Sequence, residues 1–165
     1  MSANDPTTHS LTKDRPEPAE GVELDGPGVL DGPGVLDGLA RWHEVALSND
    51  EAKVLAILAE GAVFESPVVH TPQVGKAITA KYLASAGQVF ANSGFHYVGE
   101  WRSAQSAVLE FKAVVDGIAI NGIDMISWND EGLITNFKVM VRPLKGMNML
   151  HAKMGEMLTK MSGQA

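Results

Sequence analysis

From Leu39 onward, apolar positions recur first at helical spacing and later alternate as in strands. Leu39, Trp42, Ala46 and Leu47 share one helical face that stops at Ser48-Asn49-Asp50. Asp50 is placed to cap a second helix through Leu58, with Val54, Leu55 and Leu58 as its apolar side. Ala62–Ser66 reads as a short strand stopped by Pro67, and a loop with Pro67 and Pro72 leads to a third helix from about Val74 to Phe90. Four runs rich in strand formers follow: Phe95–Ser103, Ser106–Val115, Ile118–Asn129 and Leu133–Arg142. Their connectors are of hairpin length, and Asp116-Gly117 is a strong tight-turn signal. A last helix runs from about Met147 to Met161. Helices first and antiparallel strands afterwards predict an α+β domain, a curved sheet wrapped around helices.

The segment ahead of Leu39 has a different character. Residues 1–37 carry eight acids and two bases, a net of −6, whereas the rest carries twelve acids and eleven bases, a net of −1. The chain's net charge of −7 is therefore a property of its leader. The hexapeptide Asp25-Gly-Pro-Gly-Val-Leu30 recurs at once as Asp31-Gly-Pro-Gly-Val-Leu36. Proline and glycine every few residues deny it a helix or a sheet ladder. Two copies are too few for a solenoid, and the Lys-Ser/Thr of a phosphate loop is missing. Residues 1–36 are read as a disordered acidic leader, with docking through its Val-Leu pairs as the alternative, and residues 37–162 as one domain.

Composition narrows the function classes. Without cysteine there is no disulfide framework, thiolate metal site or cysteine nucleophile. No apolar run approaches the roughly 18–20 residues of a membrane span. The first 25 residues lack a basic start and an apolar stretch, which predicts a cytoplasmic protein. An acidic balance argues against nucleic acid as a partner.

Three segments carry a resemblance. They are Trp42 to Pro67 ending in Val-Phe-Glu-Ser-Pro, the loop Pro67-Val-Val-His-Thr-Pro72 before Gly75, and Gly122-Ile-Asp124-Met-Ile-Ser-Trp128 with the strand Phe137 to Pro143. Over about residues 38 to 145 the chain resembles the SnoaL-like branch of the nuclear transport factor 2-like superfamily, which also holds ketosteroid isomerase. The resemblance implies a cone-shaped barrel enclosing one apolar pocket, with a homodimer through the convex sheet face. It leaves the activity open, because that fold hosts isomerases, cyclases, dehydratases and non-catalytic dimerisation modules.

Strand alternation then assigns faces. Leu109, Phe111 and Ala113 form one inward set, Asp124, Ile126 and Trp128 a second, and Phe137, Val139 and Val141 a third. Lys138, Met140 and Arg142 fall outside, and His96 lies opposite the parity of Phe95, Tyr97 and Trp101. Apolar walls with a single carboxylate are the makeup of a small-molecule pocket.

Asp124 is the sharpest catalytic candidate. A carboxylate on an apolar face either titrates high or is hydrogen-bonded, and Asp124 is read as ligand-facing or as tied to a helix through Trp42 or Tyr82. In the resemblance it matches the protonated aspartic acid of ketosteroid isomerase, a standard example of a carboxyl kept neutral. The isomerase's general base falls on Ser66 and its oxyanion-hole tyrosine on Trp42, so the steroid-type dyad is not expected. His70 is the expected acid/base partner across the cavity; the other reading has it bonding loop backbone. The expected ligand-binding set is Trp42, Ser66, Val68, Tyr82, Leu109, Phe111, Ile126, Trp128, Phe137 and Val139. The remaining histidines converge on no metal-ligand spacing, so neither metal nor cofactor is expected. The methionine-rich last helix reads as a lid or as ordinary packing. The combined expectation is a small apolar organic ligand and cofactor-free isomerase, cyclase or dehydratase chemistry, the alternative being a non-catalytic ligand-binding or dimerisation module.

Overall fold

Two aspartates start the first helices. In the computed structural model, which describes residues 37–46, 48 and 50–162, the Asp37 side chain accepts from the Leu39 N–H at 3.0 Å. That bond caps α1 (Gly38–Val45). Asp50 accepts from Ala52 and Lys53 and caps α2 (Glu51–Ala56). The acidic leader and its repeat lie outside the described residues.

The second helix stops two residues short of the expected Leu58. The Leu55/Leu58 spacing fits a helix, but Leu58 instead opens β1 (Leu58–Glu65), pairing in parallel with Ile134. Two-residue β2 (Gln73–Val74) then pairs back on β1, with Val74 opposite Val63. Val74 is therefore strand and not the start of a helix. Gly75 follows at φ 117°, a conformation side chains disfavour, and α3 (Lys76–Phe90) begins after it.

Four antiparallel strands follow as expected: β3 (His96–Arg102), β4 (Ser106–Val115), β5 (Ile118–Trp128) and β6 (Ile134–Arg142). Asp116 and Gly117 both have positive φ, the turn geometry their sequence predicts. The sheet order is β2-β1-β6-β5-β4-β3, unclosed, with β2 and β3 at its edges. After Pro143, α4 (Leu144–Ser162) starts about one turn earlier than expected. No helix among the described residues is long and apolar enough to cross a membrane.

The facing of β4, β5 and β6 agrees with the alternation, and β3 departs from it. A register shift between Tyr97 and Gly99 places Gly99 opposite Glu110 and Trp101 opposite Val108. Tyr97 still faces inward beside Phe111, but Trp101 turns to the convex side and is 57% exposed. A bulge reverses the parity of every residue beyond it. On that convex side Lys138 pairs with Glu65 at 3.1 Å. Arg142 reaches Glu110 only through Asn121, which accepts from Arg142 and donates to Glu110.

Two apolar clusters fill the concave side. One holds Leu39, Trp42, Leu58, Phe64, Trp128 and Phe137 under α1 and α2; the other holds Phe111, Ile120 and Leu150 under α4. Tyr97 and Val139 pack against both.

Candidate active site

A cavity of about 80 Å³ is lined from both clusters. Its walls are overwhelmingly apolar, with Phe64, Phe90, Phe95, Phe111 and Phe137 supplying most of the aromatic surface. Leu150 and Met154 of α4 contribute to the same lining. The polar side chains that reach it are those of Ser66, Tyr97 and Asp124.

Asp124 sits between Leu109 and Val139 in the sheet register and is 5% exposed. The Tyr97 hydroxyl donates to Asp124 Oδ2 at 2.8 Å. That hydroxyl in turn accepts from Trp42 Nε1 at 2.9 Å. The relay runs from helix α1 through strand β3 to strand β5, and it fixes the phenol's donor direction toward the carboxylate. Oδ1 meets no hydrogen-bond partner among the described residues, so Asp124 keeps one oxygen for the cavity it lines.

Electrostatics set the proton. Burial pushes the Asp124 carboxyl up from 3.8 to about 7, while the Tyr97 hydrogen bond pulls the other way. Burial wins, so the group exchanges its proton near neutrality. The Tyr97 phenol is pushed well above its ordinary range by burial first and by the Asp124 charge second, and it remains a neutral donor. At the convex side Glu65 behaves oppositely: hydrogen bonds from Asn136 and Lys138 hold it below the usual carboxylate range.

The expected site residues divide by position. Trp42, Ser66, Val68, Phe111, Asp124, Phe137 and Val139 line the cavity. Leu109, Ile126 and Trp128 face inward and are buried, but they lie in the first cluster and outside the lining. There α1 packs straight onto the sheet: a Cβ on Gly38 would stand 2.7 Å from Trp128 Cβ, leaving no space for a ligand. Tyr82 packs its ring on Phe64 at 5.3 Å and does not reach Asp124. His70 is exposed on its loop and is not brought to Asp124. Ser66 Oγ accepts from the Val68 and Val69 N–H groups at 3.2 and 3.4 Å, an anchor for that loop.

Tyr97 is the residue sequence reasoning left without a role. Its inward parity beside Phe111 was legible, yet the reach from β3 across β4 to Asp124 has no sequence mark. His43 pairs at the surface with Glu100, and His96 bonds the Gly94 carbonyl outside the cavity.

An open α+β cone around an apolar cavity, with one proton-bearing carboxyl on its wall, is the class that fold and site define. A steroid delta-isomerase from Pseudomonas aeruginosa superposes with a TM-score of 0.71 at 37% identity, covering 76% of this chain and 92% of its own. An uncharacterised bacterial protein with a cystatin-like fold from Silicibacter pomeroyi gives 0.69 at 33%, covering 75% and 86%. An epoxide hydrolase/cyclase-like enzyme of pyran-ring formation in salinomycin, at 0.53 and 16% identity over 64% and 88%, shares the fold. No family model and no curated protein matches the sequence. The chain belongs to the nuclear transport factor 2-like superfamily, together with the steroid delta-isomerase to which it is similar.

Proposed function

We propose that the protein binds a small, mainly apolar carbonyl compound in this cavity and moves a proton on it with Asp124, without a cofactor. The observation that carries the reading is the Asp124 carboxyl: buried, hydrogen-bonded among the described residues on one oxygen only, and with a proton affinity raised to about 7. A group with that affinity gives and takes a proton at neutral pH with little energetic penalty in either direction. The ionised form removes a proton from the carbon beside the carbonyl. The same carboxyl, now neutral, returns that proton to the same or a neighbouring carbon, which exchanges or isomerises the substrate. Tyr97 positions the carboxyl, and the phenyl walls exclude water from the developing enolate.

The second reading, a non-catalytic ligand carrier, draws on Ser66 and His70. The Ser66 oxygen is engaged with loop backbone and His70 stands in solvent, so neither supplies a second acid/base group. The test uses a β,γ-unsaturated cyclic ketone in deuterated water, with exchange and isomerisation followed by NMR. Wild type is expected to turn the ketone over with a rate rising through about pH 7, and Asp124→Asn to lose about 10²–10⁴-fold. A ketone that binds saturably but exchanges equally in both proteins supports the carrier and excludes the acid/base reading.

A further inference from the structure

Hydrogen-bond donors are scarce on the cavity wall. The Tyr97 hydroxyl is committed to Asp124, and the Trp42 indole N–H to Tyr97. The Ser66 hydroxyl differs from both. Its oxygen accepts from the Val68 and Val69 N–H groups at 3.2 and 3.4 Å, while its own hydrogen meets no acceptor among the described residues. Those two N–H groups occupy the oxygen's lone pairs and polarise the O–H bond, which strengthens the remaining hydrogen as a donor. The engagement that denies Ser66 a role as base suits it to donation.

Its position relative to Asp124 is set by the sheet. Pro67 disfavours helical backbone at Ser66, so the residue extends the line of β1 beyond Glu65. Phe64 and Glu65 lie opposite Phe137 and Lys138 in the parallel pairing, which brings Ser66 level with Val139. Val139 in turn lies opposite Asp124. Ser66, Val139 and Asp124 therefore form a row across β1, β6 and β5, and all three line the cavity. Two strand spacings, about 10 Å, separate the outer backbones. Between the two side chains there is room for one O–H···O bond of about 2.8 Å and one carbon-to-carboxylate approach of about 3–3.5 Å, joined by a carbonyl group.

We propose that Ser66 is a catalytic residue that donates its hydroxyl hydrogen to the carbonyl oxygen of the substrate, which lies across Val139 with its neighbouring carbon at Asp124. The inference rests on the proposed function for the class of substrate. When Asp124 takes the proton, the C–H electron pair moves into the enolate and its charge collects on that oxygen. The serine keeps its proton and holds the charge through the hydrogen bond, which strengthens as the charge develops. The pair returns to carbon when Asp124 gives the proton back.

Infrared spectra of cyclohexanone, labelled with carbon-13 at the carbonyl and bound to the full-length protein, read the contact directly. In wild type the bound C=O stretch is expected below its position in hexane, because a donor meets the oxygen. Ser66→Ala is expected to return it toward the hexane value, and Ser66→Thr, which retains a hydroxyl, to keep it low. With the β,γ-unsaturated cyclic ketone, Ser66→Ala is expected to slow exchange about 10²-fold at an unmoved pH midpoint, and Ser66→Thr to recover most of the rate. A wild-type stretch at the hexane position, or the same lowered stretch in wild type and Ser66→Ala, overturns the proposal and leaves Ser66 as a loop anchor. The stretch requires no turnover, so it tests the donor even if Asp124→Asn leaves exchange unchanged and the acid/base reading fails.

Discussion

Tyr97 donates its phenolic hydrogen to Asp124 at 2.8 Å, joining an edge strand to one two strands away across the floor of an apolar cavity. The bond opposes the effect of burial without cancelling it, which leaves the carboxyl titrating near neutrality. Trp42 holds the phenol from the other side.

Asp124 makes the fold less stable as pH rises. The folded protein keeps this proton up to about pH 7, whereas the unfolded chain releases it near 3.8. Between those values the native state binds more protons, so stability present at acidic pH is lost as pH rises through the window. About three pH units correspond to about 4 kcal/mol at alkaline pH. Asp124→Asn is expected to lack this loss, and urea unfolding of both proteins from pH 4 to 8 checks it.

Tyr97→Phe removes the donor that favours the carboxylate and leaves Trp42 Nε1 without its acceptor. The Asp124 titration is expected to move further up, and stability to fall by about 1–3 kcal/mol. A merely structural role for the phenol predicts the stability loss with no change in the pH profile.

Gly122 permits the packing that brings these groups together. A Cβ there would run into the Phe111 ring and stand 2.7 Å from the Met140 carbonyl oxygen. Gly122→Ala is expected to cost about 1–3 kcal/mol, read as a lowered Tm, because Phe111 in the cavity wall must shift.

Ser66 anchors the loop that carries His70. Ser66→Ala removes the acceptor of two loop N–H groups and is expected to cost about 1 kcal/mol. His70→Ala is expected to leave the pH–rate profile unchanged. A displaced profile in the His70 variant would restore it to the chemistry.

Much of this was readable from residue order, for physical reasons. Alternation places Phe111, Asp124, Phe137 and Val139 inward because a strand has period two, and Asp116-Gly117 tolerates the positive φ of its turn. Short apolar runs were ambiguous, so Leu58 and Val74 were read as helical although strand pairing claims both. Trp101 was misplaced because a bulge one residue long leaves no trace in hydrophobic pattern. Leu109, Ile126 and Trp128 had the right face, but whether helix or ligand covers a face depends on how α1 sits. The Tyr97–Asp124 bond depends on curvature that no local spacing encodes.

The most direct test is an NMR titration of the Asp124 side-chain carboxyl carbon in the full-length protein, assigned by its disappearance in Asp124→Asn. The account predicts a midpoint of about 7, rising in Tyr97→Phe. A midpoint at the ordinary 3.8 would contradict it, since so weak a base takes a proton from carbon at a larger penalty and gives no rate rising through about pH 7.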